Sequence, residues 1–126
     1  NLNENLFNLI ENFYMEQFYL IGNFLTSFKS DLIYPKSIKL LDLSRNRLES
    51  MKDFHLEKFH SLSYLNLSFN NFKLIDYLLF NSNQIELIDL SFNRIENLNS
   101  LYFNQEPIGE NLKILLNSNC LNQLPI

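Results

Sequence analysis

With 126 residues, 46% of them hydrophobic, the chain can bury one continuous core, and a single domain spanning 1–126 is the expectation. The net charge is -4 and the basic residues form no run or stripe, which removes the electrostatic footprint of a nucleic-acid binder or a polybasic membrane surface. No stretch approaches the roughly 20 apolar residues that insertion into a membrane requires, and no basic segment followed by an apolar run opens the chain as a signal peptide would.

One polar residue recurs along the chain. Asn23, Asn46, Asn70, Asn93 and Asn119 are separated by 23, 24, 23 and 26 residues, each in the same apolar frame. Residues 1–14 look like the tail of a unit, with Leu2, Asn5 and Phe7 in the frame. Residues 15–37 form the next unit, with Met15, Phe18, Leu20, Asn23 and Leu25. The clean copies are 38–61 (Ile38, Leu41, Leu43, Asn46, Leu48), 62–84 (Leu62, Leu65, Leu67, Asn70, Phe72) and 85–110 (Ile85, Ile88, Leu90, Asn93, Ile95). In 111–126 the frame runs through Ile114, Leu116, Asn119 and Leu121, and either Asn111 or a shifted Leu112 opens it. Beginning inside one unit and stopping inside another, the chain reads as a piece of a longer solenoid, whose open ends offer a surface for self-association.

Apolar residues at the fourth and sixth positions alternate with polar ones, the pattern of a short strand with one buried face. Stacked coils place these strands side by side about 4.8 Å apart. The recurring asparagine then sits where the chain turns inward, and its amide can bond backbone groups that the bend leaves unpaired. Its replacement by leucine is expected to cost about 1–3 kcal/mol.

The frame L-x-x-L-x-L-x-x-N-x-L resembles the leucine-rich repeat family over nearly the whole chain. Further slots follow the same period: Phe28, Met51, Ile75, Leu98 and Leu124, then Ile33, Leu56, Phe80 and Phe103. This second half is similar to the longer repeats of Toll-like receptor ectodomains and insect leucine-rich immune proteins. The resemblance implies an α/β-type solenoid: a right-handed coil with a parallel β-sheet on its concave face and irregular or 3-10 segments on the convex side. It also implies a non-enzymatic module that recognises a protein ligand, in an extracellular receptor or secreted protein of innate immune type. The alternative is a cytoplasmic scaffold or adaptor.

The frame assigns the outward columns of the concave face. They read Gln17, Leu40, Tyr64, Leu87, Lys113; then Tyr19, Asp42, Asn66, Asp89, Leu115; then, at the strand's end, Gly22, Arg45, Phe69, Phe92, Ser118. The candidate partner-binding residues are Tyr19, Leu40, Asp42, Arg45, Tyr64, Asn66, Phe69, Leu87, Asp89 and Phe92, an apolar and aromatic stripe beside an acidic-to-neutral track. Phe69 and Phe92 are also spaced to stack on each other. A second candidate surface is the loop Asn104-Gln105-Glu106-Pro107-Ile108-Gly109-Glu110, where the longest unit carries its extra length.

Catalytic and metal signatures are missing from the sequence. His55 and His60 match no ligand spacing and are expected to face solvent, and Cys120 has neither an activating base nor a second cysteine to pair with. With only Gly22 and Gly109, no glycine-rich phosphate loop can form. No cofactor is expected. Asn66-Leu67-Ser68 is an N-glycosylation acceptor sequence, which would place Asn66 in the secretory route, whereas the lone cysteine fits a reducing compartment.

Overall fold

The computed structural model of the chain describes residues 14–30, 35–75, 84–98 and 111–122. Each alternating segment forms a three-residue strand: β1 Gln17–Tyr19, β2 Leu40–Asp42, β3 Tyr64–Asn66, β4 Leu87–Asp89 and β5 Lys113–Leu115. The strands lie in chain order in one parallel sheet. Their register follows the asparagine frame without offset: Phe18, Leu41, Leu65, Ile88 and Ile114 are successive Cα partners. Residues that share a slot in the sequence therefore share a column in space, and the coils form a β-solenoid.

Coil-to-coil hydrogen bonding continues past the strands. Leu43 N–H donates to the Asn66 carbonyl at 2.9 Å, and Leu67 N–H to that of Asp89 at 2.8 Å. Two residues further on, Gly22, Arg45, Phe69 and Phe92 donate to the carbonyls of Ser44, Ser68, Ser91 and Asn117 at 3.0–3.1 Å. To do so the backbone enters the left-handed region, with φ of 54–58° at Arg45, Phe69, Phe92 and Ser118 and 69° at Gly22. This column was expected at the end of each strand; it lies instead in a turn. The turn keeps the strands to three residues and sends the chain into the interior.

The core is filled by the frame. Leu41, Leu65 and Ile88, with Leu43, Leu67 and Leu90, are fully buried, backed by Ile38, Leu62 and Ile85. At roughly 1.5–3 kcal/mol per fully buried aliphatic side chain, these rows supply most of the drive for stacking. Behind the turn, Phe28, Met51, Ile75, Leu98 and Leu56 occupy the later slots as expected. Phe54 meets Phe28 edge-on at 5.3 Å and Phe72 at 6.3 Å, linking three coils through their rings. Ile33, Phe80, Phe103, Leu124 and the 104–110 loop lie outside the described residues. In the last coil Asn111 is exposed, while Leu112 packs against the core and fills the opening position.

Between strands, the described segments contain 3-10 turns at Pro35–Ser37 and Leu56–Lys58 amid irregular chain, as expected of the convex side. His55 enters the second turn at φ 45° and is half-buried, with Nδ1 3.2 Å from Glu57 Oε1. Beside the buried Leu56 its side chain keeps about 40% of its surface in solvent, and His60 is exposed.

The asparagines form a ladder inside the turn. The Asn70 amide nitrogen shares its two hydrogens among the carbonyls of Leu43 (3.0 Å), Leu67 (3.1 Å) and Ser68 (3.3 Å), while its oxygen accepts from Leu48 N–H at 2.9 Å. Asn46 and Asn93 repeat the pattern one coil to either side, Asn46 accepting from Leu25 N–H and Asn93 from Phe72 N–H. Asn119 bonds Leu90, Leu116 and Ile95 in the same way. Asn23 is exposed and, among the described residues, sends its amide to the Ile21 carbonyl at 3.2 Å, while its own N–H donates to Asn46. Each inner asparagine thus closes its own turn and ties it to the preceding coil.

Candidate partner-binding face

Three columns of side chains stand on the outward side of this scaffold, and the register brings the sequence-derived candidates together. Leu40, Tyr64 and Leu87 are Cα neighbours on adjacent strands, and all three are half-buried. Burial raises the Tyr64 phenol above its ordinary value, and the nearby charges of Asp42 and Asp89, with Tyr19, push the same way. The ring therefore presents a neutral hydroxyl at the centre of an apolar row. Gln17 opens this column and accepts a bond from the Tyr19 hydroxyl at 3.2 Å; the exposed Lys113 closes it.

The second column is less available than its polar character suggests. Asp42 is only 8% exposed. Its Oδ1 accepts from Ser44 N–H at 2.9 Å and its Oδ2 from the Asn66 amide at 3.1 Å. Asn66 in turn accepts from Ser68 through both its backbone N–H (3.0 Å) and its hydroxyl (2.7 Å). Asp89 accepts from Ser91 in the same two ways, at 2.9 and 2.6 Å. These polar side chains cap the turn that follows each strand, the local bonding that short polar residues favour. Both atoms of the Asn66 amide are engaged in the fold. At the two ends of the column Tyr19 and Leu115 are exposed, at 51% and 40%.

The third column lies in the left-handed turn. Phe69 and Phe92 stack face to face, centroids 4.2 Å apart and planes 5° from parallel, and the Arg45 guanidinium covers the other face of Phe69 at 4.3 Å. The stack is one flat group per coil. Both rings stay 39–44% exposed, so the stabilising contact leaves aromatic surface in solvent. The next outward position beyond each asparagine holds Phe24, Arg47, Asn71, Arg94 and Cys120. Phe24, 70% exposed, carries the Arg47 guanidinium 4.8 Å above its ring. No residue pattern in the sequence announced this second pair, although the frame places Phe24 and Arg47 one coil apart.

Before each strand the arrangement differs. Lys39 and Glu16 form an exposed ion pair at 2.7 Å, which holds the Glu16 carboxyl below the usual range through its bond and charge contact with Lys39. Among the described residues no group of His, Cys, Asp and Glu could hold a metal ion, Cys120 is exposed with a free thiol, and no helix is long and apolar enough to cross a membrane.

Residues 36–95 match a family model described as leucine rich repeat. Searches of curated proteins and of solved structures returned no match.

Proposed function

Since this chain is a leucine-rich repeat protein, a class suited to protein–protein interaction, we propose that it is a non-enzymatic recognition module. It binds a protein partner through the outward face of its sheet and the adjoining turn. The observation that carries this reading is the in-register row Leu40, Tyr64 and Leu87 beside the exposed Phe69–Phe92 stack. They make two parallel apolar and aromatic rows that flank the polar column Asp42, Asn66 and Asp89, and together form the strip. The ten residues predicted for partner binding divide on this reading. Leu40, Tyr64, Leu87, Arg45, Phe69 and Phe92 make contact; Tyr19 extends the strip; Asp42, Asn66 and Asp89 hold the turns that present it.

The setting we propose is an extracellular receptor or secreted recognition protein, supported by the repeat length and the acceptor sequence at Asn66. A second reading, an intracellular scaffold, is favoured by the single exposed thiol of Cys120. Intact mass of the natively sourced protein before and after glycosidase treatment separates them: a glycan on Asn66 supports the first, an unmodified chain the second.

Binding itself is tested by placing a charge in the strip. Capture of partners from the native source by the wild-type chain should be lost with Tyr64→Glu and with Phe92→Asp while the unfolding midpoint is retained. Capture unchanged by both substitutions removes the sheet face as the binding surface.

A further inference from the structure

The two outward columns that flank the asparagine ladder form a corner with a marked bias. Over five coils they contain Gly22, Arg45, Phe69, Phe92 and Ser118 on one side and Phe24, Arg47, Asn71, Arg94 and Cys120 on the other. None of these ten positions is acidic, although the chain carries 14 acidic and 10 basic residues. Arg45, Arg47 and Arg94 are exposed, and none forms an ion pair with a described carboxylate. The neighbouring acids are already committed or set apart. Asp42 and Asp89 cap their own turns, and Glu49 and Glu96 stand two residues beyond Arg47 and Arg94, exposed and unbonded to them. The Arg45 and Arg47 guanidinium carbons instead sit over the Phe69 and Phe24 rings, 4.3 and 4.8 Å from their centroids. A guanidinium above a ring contributes its charge to that contact and keeps its N–H donors for a carboxylate.

The stack is also unfinished. Its members are spaced by 4.2 and 4.3 Å, and the next place in the column belongs to Gly22, which has no side chain to cover the second face of Arg45. A Cβ built on Gly22 would meet nothing within 4 Å. The φ of 69° at Gly22 strains any side chain placed there, yet Arg45, Phe69, Phe92 and Ser118 carry theirs at left-handed φ of 54–58° in the same column. Among the described residues, the column therefore lacks a side chain at Gly22, beside the Arg45 guanidinium.

We propose that this corner recognises an extended acidic peptide segment carrying one aromatic residue, whose ring fills the place above Arg45 while its carboxylates meet Arg45, Arg47 and Arg94. The proposal rests on the protein-interaction reading and names the chemistry of the partner. Spacing agrees with it: Arg47 and Arg94 are two coils apart, roughly 10 Å at the sheet repeat, and on an extended chain of polyproline II form two acids three residues apart share one face about 9 Å apart. A ring sandwiching the guanidinium against Phe69 adds a second cation–π contact to the one in place. A nucleic acid, with phosphate at every step, would run from this corner onto a chain of net charge -4.

The test is selection of random twelve-residue peptides on the full chain, followed by affinity measurements of the enriched peptide against variants. Enriched sequences should pair an aromatic residue with two acids three apart. Their affinity should fall about tenfold or more, the scale of one lost cation–π or charge-assisted contact, in both Gly22→Phe, which fills the place from within, and Arg45→Gln. Arg45→Lys should recover only part of the loss, because lysine keeps the charge without the flat face. Urea midpoints show whether Gly22→Phe stays folded, and the surface variant Arg45→Gln decides the matter if it does not. Enriched peptides that are basic or purely aliphatic, or that bind both variants like wild type, overturn the proposal. So does tighter binding of a twelve-nucleotide oligothymidylate. Peptides lost with Tyr64→Glu but indifferent to Gly22→Phe and Arg45→Gln overturn it while leaving the broader interaction reading intact. An absence of any enrichment also overturns it without touching that reading, which a folded partner still satisfies.

Discussion

Two columns one residue apart, Asn46–Asn70–Asn93 and Arg45–Phe69–Phe92, share a backbone and do opposite work. The asparagines are buried, and each bonds three carbonyls and accepts at least one N–H. No other side chain offers an acceptor and two donors on so short a stem, and each of these coils places the same residue type in the slot. The neighbouring column owes its shape to the backbone bonds Arg45 N–H to Ser68 and Phe69 N–H to Ser91, which any residue with an N–H can make. It is therefore occupied by glycine, arginine, phenylalanine and serine in turn. In this coil architecture the inner column holds the structure, and the outer column is free to carry recognition.

That contrast breaks most visibly at Asn70. Asn70→Leu leaves carbonyls and an N–H unpaired in a buried turn, at about 1–3 kcal/mol for each group that finds no water. The total should exceed the 1–3 kcal/mol expected of a single unpaired group, and circular dichroism should show loss of the central coils. Leu65→Ala in the adjacent core row should cost about 2–5 kcal/mol in urea unfolding. Phe69→Ala removes a stacked ring and a cation–π contact together, worth about 1–2 kcal/mol beyond the area it buries. Asn71→Leu, one residue outside the ladder and half-buried, should shift the midpoint by under about 1 kcal/mol.

The smallest effect is electrostatic. Because burial raises the Tyr64 phenol above its ordinary value, its neutral form contributes stability that is present below about pH 10 and is lost as pH rises through the folded-state value. In an alkaline absorbance titration, Tyr64→Phe should remove a component with a midpoint above about 10. Removal of a component at or below that value contradicts the packing assigned to the ring.

Much of this was readable before any coordinates. The frame of Asn46, Asn70 and Asn93 located the strands, the zero-offset register and the rows Leu41–Leu65–Ile88 and Leu43–Leu67–Leu90, because buried slots demand particular chemistry and repeat it. Exposed slots do not repeat, and there the sequence was a weaker guide. Asp42 looked like part of an outward acidic track; its burial follows from the Ser44 N–H and the Asn66 amide, partners two residues and one coil away. The left-handed turn at Arg45, Phe69 and Phe92 was hidden for the converse reason, since only Gly22 among its members advertises a positive φ. Leu112 replaces Asn111 in the last coil through packing that depends on the neighbouring strand.

The division of labour between the columns is tested most directly by equilibrium urea unfolding of Phe69→Ser beside Asn70→Leu. Serine already occupies the Phe69 slot at Ser118 with φ 58°, so the first substitution should be accommodated, at a cost of about 1–2 kcal/mol. Asn70→Leu should lower stability by at least about 3 kcal/mol. Equal losses at the two positions, or a larger one at Phe69, would contradict the claim that the inner column holds the coil and the outer one is free.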